Sequence, residues 1–206
     1  MRKPPVATIP RAVIFDLDGT LTEPLLDFPA IRRELGVAPG APILEALEHV
    51  SPDERARAEV ILRRHELDAI RAATLADGCR ELLALLGARG VPVAILTRNV
   101  REAVDHFIER FGFRFHAVYT REDGPPKPSP EGARALCRAL GVAPSEALAV
   151  GDYKYDIFAG RDAGCRTVLV AHEPPADLAA WGPPDLTIRS LRELLPLWDD
   201  PRTPTV

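Results

Sequence analysis

Val13-Ile14-Phe15-Asp16-Leu17-Asp18-Gly19-Thr20-Leu21-Thr22 is the stretch on which the reading of this chain turns. The apolar run from Ala12 to Phe15 predicts a short buried strand, and Gly19-Thr20 predicts its end. Alternate residues of a strand face the same way, so Asp16 and Asp18 leave its carboxyl end towards one spot. Two neighbouring carboxylates there repel each other and lose hydration. A divalent cation, or a proton on one of them, relieves both costs. A calcium loop fits poorly: the twelfth position counted from Asp16 is Asp27 rather than Glu, and a strand rather than a helix precedes. The plain alternative is an acidic turn, and the rest of the chain has to decide.

Downstream, the pattern turns helical and stays so to about Thr74. Phe28, Ile31 and Leu35 share one face, and Ile43, Leu44, Leu47 and Val50 resume the stripe after the turn at Pro39–Pro42. Ser51-Pro52-Asp53-Glu54 carries the marks of a helix start: an N-cap Ser, Pro at the first position and Glu closing a capping box. The helix begun there is expected to put Val60, Leu67 and Ile70 on one side. Residues 22–76 thus read as three helices without a strand. From Leu75 the chain alternates helix and apolar strand: strands at 91–96, 117–119, 147–150, 166–170 and 185–188, helices at 79–89, 100–111, 130–140, 157–163 and 190–197. The Pro-rich remainder to Val206 is expected to be a loose tail.

Chemistry-bearing residues recur at the strand ends. Thr97 closes Val93–Leu96, where a hydroxyl before a helix start suits an anion such as phosphate, and Arg98 and Asn99 come next. Lys127 stands in Gly124-Pro-Pro-Lys-Pro-Ser-Pro-Glu131, where flanking prolines fix the direction of its ammonium. Lys occurs only at 3, 127 and 154 among the 26 basic side chains, which makes this one conspicuous. Gly151-Asp152-Tyr-Lys-Tyr-Asp156 ends another apolar strand with a second carboxylate pair.

In order and position, these four segments resemble the motifs of the haloacid dehalogenase-like superfamily of phosphohydrolases, in its phosphoglycolate phosphatase-like subgroup. The resemblance implies an α/β fold with a Rossmann-like, doubly wound parallel sheet (residues 1–21 and 77–206) and a small helical cap inserted after the first strand (22–76). It implies that Asp16 is the nucleophile, giving an aspartyl-phosphate, and that Asp18 is the acid and base. Mg²⁺ would be held by Asp16, Asp152 and the Asp18 backbone carbonyl, and phosphate by Thr97, Arg98 and Lys127. Asp156 would orient a water of the metal or Lys127. The implied substrate is a small phosphate monoester such as phosphoglycolate, with Arg32, Arg33, Arg63 and Arg64 as cap cations that could meet its carboxylate. The cap is short for that subgroup, and Tyr153 replaces the Ser or Thr common in relatives. Asp18 argues against a dehalogenase. A hexose-phosphate mutase of the same superfamily is the alternative enzyme, and a receiver-like regulatory domain the alternative outside enzymes.

Composition agrees with a globular enzyme: 46% hydrophobic and 27% charged residues over 206 positions. A net charge of −4 gives no electrostatic case for nucleic acid. No run approaches the roughly 20 apolar residues of a membrane helix. Three widely spaced cysteines and the absence of an apolar leader before the first strand predict a cytoplasmic protein with reduced thiols. The oligomeric state stays open.

Overall fold

Val13 and Phe15 pack into one apolar cluster and Ala12 and Ile14 into another, because a strand presents successive side chains to opposite faces of its sheet. All four are fully buried, which requires helices on both faces. The computed structural model, which describes residues 9–199, has that arrangement. The six strands β1 (Ala12–Phe15), β2 (Val93–Leu96), β3 (Ala117–Tyr119), β4 (Ala147–Gly151), β5 (Arg166–Val170) and β6 (Leu186–Ile188) form a parallel sheet in the order β3-β2-β1-β4-β5-β6. The Val13 face carries the helices Cys79–Ala88 and Arg101–Phe111, and the Ala12 face carries Glu131–Ala139 and Lys154–Ala163. β1 pairs with both β2 and β4, so the direction of winding reverses beside it. In such sheets the crevice at this reversal, outside the carboxyl ends of the strands, is where ligands bind.

Between β1 and the second strand the chain makes α1 (Phe28–Leu35), α2 (Ile43–Ala46), a 3-10 turn (Leu47–His49) and α3 (Pro52–Ala72). The expected capping box is present, with Ser51 Oγ accepting from Glu54 N at 3.3 Å and Glu54 Oε2 accepting from Ser51 N at 3.0 Å. Such a cap stabilises a helix by about 1 kcal/mol. Ile31, Ile43, Leu47, Ala58 and Leu62 form a small apolar cluster of their own, whereas Leu67, Ile70 and Ala73, further along the same α3, join the core of the sheet. At the neck, Glu23 N donates to Thr74 O and Ala76 N to Leu21 O, each at 3.0 Å, with one isolated antiparallel bridge between Thr22 and Leu75.

Four local expectations are corrected. Val60 is 72% exposed: it lies about 200° around α3 from Leu62, and the buried stripe is Ala58, Leu62, Glu66, Leu67 and Ile70. Phe28 and Val50 are also largely exposed, each at an end of its helical segment, where the stripe no longer faces a partner. The closing helix is a 3-10 turn (Leu191–Leu194) followed by α-helix at Pro196–Asp199. Pro196 has no N–H for a continuing ladder and starts a new turn instead. Trp198, at the start of the stretch expected to be loose, is fully buried, and its indole N–H donates to Pro10 O at 3.2 Å. Residues 200–206, the rest of that stretch, lie outside the described residues. The three cysteines are free and buried, and no described helix is long and apolar enough to cross a membrane.

Candidate active site

The ends of β1 and β4 lie side by side, which brings Asp16 and Asp152 together. Oxygens of Asp16, Asp152 and Asp156 all lie within 4.8 Å of one another. Two glycines make this approach feasible. Gly19 has φ +85°, a conformation that L side chains rarely adopt, and a Cβ there would collide with the Asp152 carboxylate. A Cβ on Gly151 would collide with Asp156.

Lys127 reaches into the cluster from the loop between β3 and the helix at 131–139. Its Nζ donates to Asp16 Oδ1 and, at 2.5 Å, to Asp156 Oδ1. The ammonium is buried, which alone would lower its pKa, but the Asp156 and Asp16 charges outweigh burial and raise it. Asp156 Oδ2 accepts from Tyr153 N at 3.0 Å, so both its oxygens are engaged. Asp18 stands apart from the three-carboxylate cluster and accepts from Asn99 Nδ2 at 3.0 Å. Thr97 is buried, and its hydroxyl accepts from Asn99 N at 3.0 Å.

Electrostatically the site holds more negative charge than its own cations offset. Burial raises the Asp16 carboxyl well above the usual range against the pull of Lys127, with Asp156, Asp152 and Asp18 adding to the rise. Burial likewise lifts Asp152 to about 7, with Asp156 next in weight. Asp18 is raised by burial and held back by its Asn99 hydrogen bond. Opposed carboxylates with raised proton affinity mark a place where a bound cation would relieve repulsion and desolvation together.

Asp16, Asp18, Thr97, Arg98, Lys127, Asp152 and Asp156 all line one cavity of about 530 Å³, together with residues of α1, α2 and α3. They differ in how free they are. The Arg98 guanidinium forms a fork on Glu45 of α2 (3.0 and 2.8 Å), donates to Lys127 O and lies 4.8 Å over the Tyr155 ring. Of the four cap arginines, Arg63 pairs with Glu102, Arg64 pairs with Glu34 and Arg33 is exposed, whereas Arg32 lines the cavity.

Two features are missed by sequence reasoning. Asn99 stands out there only as a neighbour of Thr97, with nothing to mark it as the partner of Asp18. Glu66 is buried and lines the cavity, with Oε1 accepting from Arg121. The available signal is its place at i+4 between Leu62 and Ile70, a charge inside an apolar stripe.

A carboxylate cluster with a buried Lys stands at the winding reversal of a parallel sheet, where the four motif segments meet. A family model for haloacid dehalogenase-like hydrolase matches residues 10–164, and the chain belongs to that family. It is 33% identical over 194 residues to a haloacid dehalogenase-like hydrolase domain-containing protein of Arabidopsis thaliana, covering 88% of this chain and 77% of the relative. It is 30% identical over 214 residues to a phosphoglycolate phosphatase of Chromobacterium violaceum, covering 91% and 96%. The crystal structure of a hydrolase from Pseudomonas syringae shares the fold at a TM-score of 0.77 and 19% identity, covering 90% and 96%.

Proposed function

We propose that this protein is a Mg²⁺-dependent phosphatase that hydrolyses a small phosphate monoester through an aspartyl-phosphate on Asp16. The observation that carries the reading is the pairing of Asp16 with Lys127 beside Asp152 and Asp156 on the wall of a 530 Å³ cavity. The phosphatase names among the relatives support the reaction class.

The donor set fits the metal: three converging carboxylates offer only hard oxygen ligands, and the raised proton affinities of Asp16 and Asp152 mark uncompensated charge. Asp16, Asp152 and the Asp18 carbonyl would hold Mg²⁺, which when bound offsets charge on the phosphate. Asp16 attacks phosphorus in line, and Lys127 neutralises both nucleophile and phosphate. The Thr97 hydroxyl, which accepts from Asn99 N, would donate its own proton to a phosphate oxygen. Asp18, whose carboxyl is raised by burial, protonates the leaving alkoxide and then takes a proton from the water that hydrolyses the aspartyl-phosphate. Arg98, already paired with Glu45, positions the Lys127 loop against α2 in addition to any phosphate contact. Residues 22–76 serve as a cap over the cavity and the remainder as the catalytic core, with the Glu23–Thr74 neck between them.

The test is a panel of small phosphate esters, phosphoglycolate included, assayed with Mg²⁺ on the wild type and Asp16→Asn. The expected result is turnover by the wild type, none by the folded variant, and acid-stable ³²P labelling of the wild type alone. Steady turnover by Asp16→Asn sinks the assignment.

A further inference from the structure

Arg98 O and Asn99 O are consecutive carbonyls, one on each side of the Asn99 Cα, and both accept from Arg121. The first accepts from its guanidinium at 3.1 Å and the second from its backbone N–H at 3.4 Å. Peptide units are planar, so fixing the two that flank Asn99 fixes the direction in which its side chain leaves the backbone. That side chain is the one that donates to Asp18.

The guanidinium is braced from the other side by α3. Nη1 also donates to Glu66 Oε1, and Nη2 donates to Glu59 Oε2 at 3.1 Å. Its side chain is 6% exposed. Burial alone would lower its pKa, but the Glu66 and Glu59 charges outweigh burial and raise it. Three acceptors at set angles suit a rigid planar fork, which a Lys ammonium does not offer. For stability alone, an apolar pair of similar volume would often serve as well as this buried ion pair. Arg121 is not among the residues that line the cavity, whereas Glu66, Arg98 and Asn99 are. Its influence on the site therefore passes through its neighbours. We infer that Arg121 is a positioning residue: braced by Glu59 and Glu66, it holds the Asn99 backbone so that the Asn99 amide keeps the Asp18 carboxylate directed at the leaving group. This rests on the phosphatase reading above and deepens it.

The experiment measures kcat and KM with Mg²⁺ for 4-nitrophenyl phosphate and for the alkyl ester of the panel above that the wild type turns over fastest. Arg121→Met should lower kcat on the alkyl ester by about tenfold, the worth of the Asn99–Asp18 hydrogen bond, and on the nitrophenyl ester by less than about threefold. Both KM values should stay within about threefold of the wild type, because no substrate contact is lost. Arg121→Lys should restore part of the alkyl kcat. In an Asn99→Ala background, Arg121→Met should cost less than about a further twofold, since two residues acting through one bond are not additive. If Arg121→Met does not fold, Arg121→Met/Glu66→Met, which removes both buried charges, takes its place with Glu66→Met as its reference. Equal losses on the two esters, a loss confined to KM, or additive losses with Asn99→Ala overturn the inference and leave the phosphatase reading standing. No wild-type turnover of any alkyl ester overturns both.

Discussion

Asn99 donates its side-chain N–H to Asp18 Oδ2 across 3.0 Å, while its own side-chain carbonyl accepts from Val100 N at 2.8 Å, so the amide is locked in one orientation. The carboxylate proposed to give up and take back a proton is thereby held by a residue shortly beyond the end of β2. The amide N–H favours ionised Asp18, and burial opposes it. Asn99→Ala should then lower kcat on alkyl phosphates by about tenfold, the worth of one such bond. It should lower kcat less on 4-nitrophenyl phosphate, which needs little protonation to depart. With the donor gone, burial acts unopposed by that bond, and the basic limb of the pH–rate profile moves to higher pH. Equal losses on both esters with an unmoved basic limb would show that Asn99 only shapes the loop.

The buried carboxyls make a prediction about stability that needs no substrate. Asp152 and Glu66 are lifted by burial to about 7 from unfolded values of 3.8 and 4.5, so the folded chain binds more protons than the unfolded one in that window. Stability should therefore fall as pH rises from 5 to 7 in EDTA, by on the order of 1–3 kcal/mol. Carboxyls that are lowered, such as Glu34 and Asp77, act below about pH 4.5 and leave this window alone. Saturating Mg²⁺ should flatten the slope, since it favours the ionised carboxylates, and Glu66→Gln should remove only the share due to Glu66. Urea unfolding at pH 5, 6 and 7 with EDTA or Mg²⁺ gives the answer; stability that climbs with pH in EDTA contradicts the electrostatic picture.

Gly19→Ala combines a left-handed backbone with a collision at Asp152. The expected cost is about 1–3 kcal/mol of stability, with a loss of Mg²⁺ affinity as Asp152 is pushed aside. Thermal melts with a Mg²⁺ titration monitor both, and wild-type metal affinity in the variant would mean that Asp152 is not held there for the cation.

The Glu45–Arg98 fork joins α2 to the loops after β2 and β3, with Glu45 38% exposed at its side chain. A pair this exposed contributes under about 1 kcal/mol to stability. Glu45→Ala should therefore melt close to the wild type, yet raise KM severalfold because α2 loses its tie to the Lys127 loop. An unchanged KM across the ester panel would make the fork ornamental to binding.

The parallel sheet and the places of the candidate site residues at its strand ends are readable in the sequence because they arise from local chemistry. A four-residue apolar run makes a buried strand, strand geometry aims the side chains just past its end, and Asp16, Thr97 and Asp152 each stand at such an end. The hidden features depend on residues far apart in the chain. Asn99 meets Asp18 across 81 positions, Arg98 meets Glu45 across 53, and Arg121 meets Glu66 across 55. Spacing cannot reveal those pairs, since each arises only when packing removes water from both partners. The same holds for Val60 and Phe28, whose exposure depends on where α1 and α3 find something to cover them. Backbone preference and strand direction are properties of neighbours in the chain, so the amino-acid order alone establishes where the carboxylates emerge. Desolvation is a property of neighbours in space, so tertiary packing alone decides which charge is paired, which acid is lifted towards neutrality, and that Glu66 lines the cavity at all.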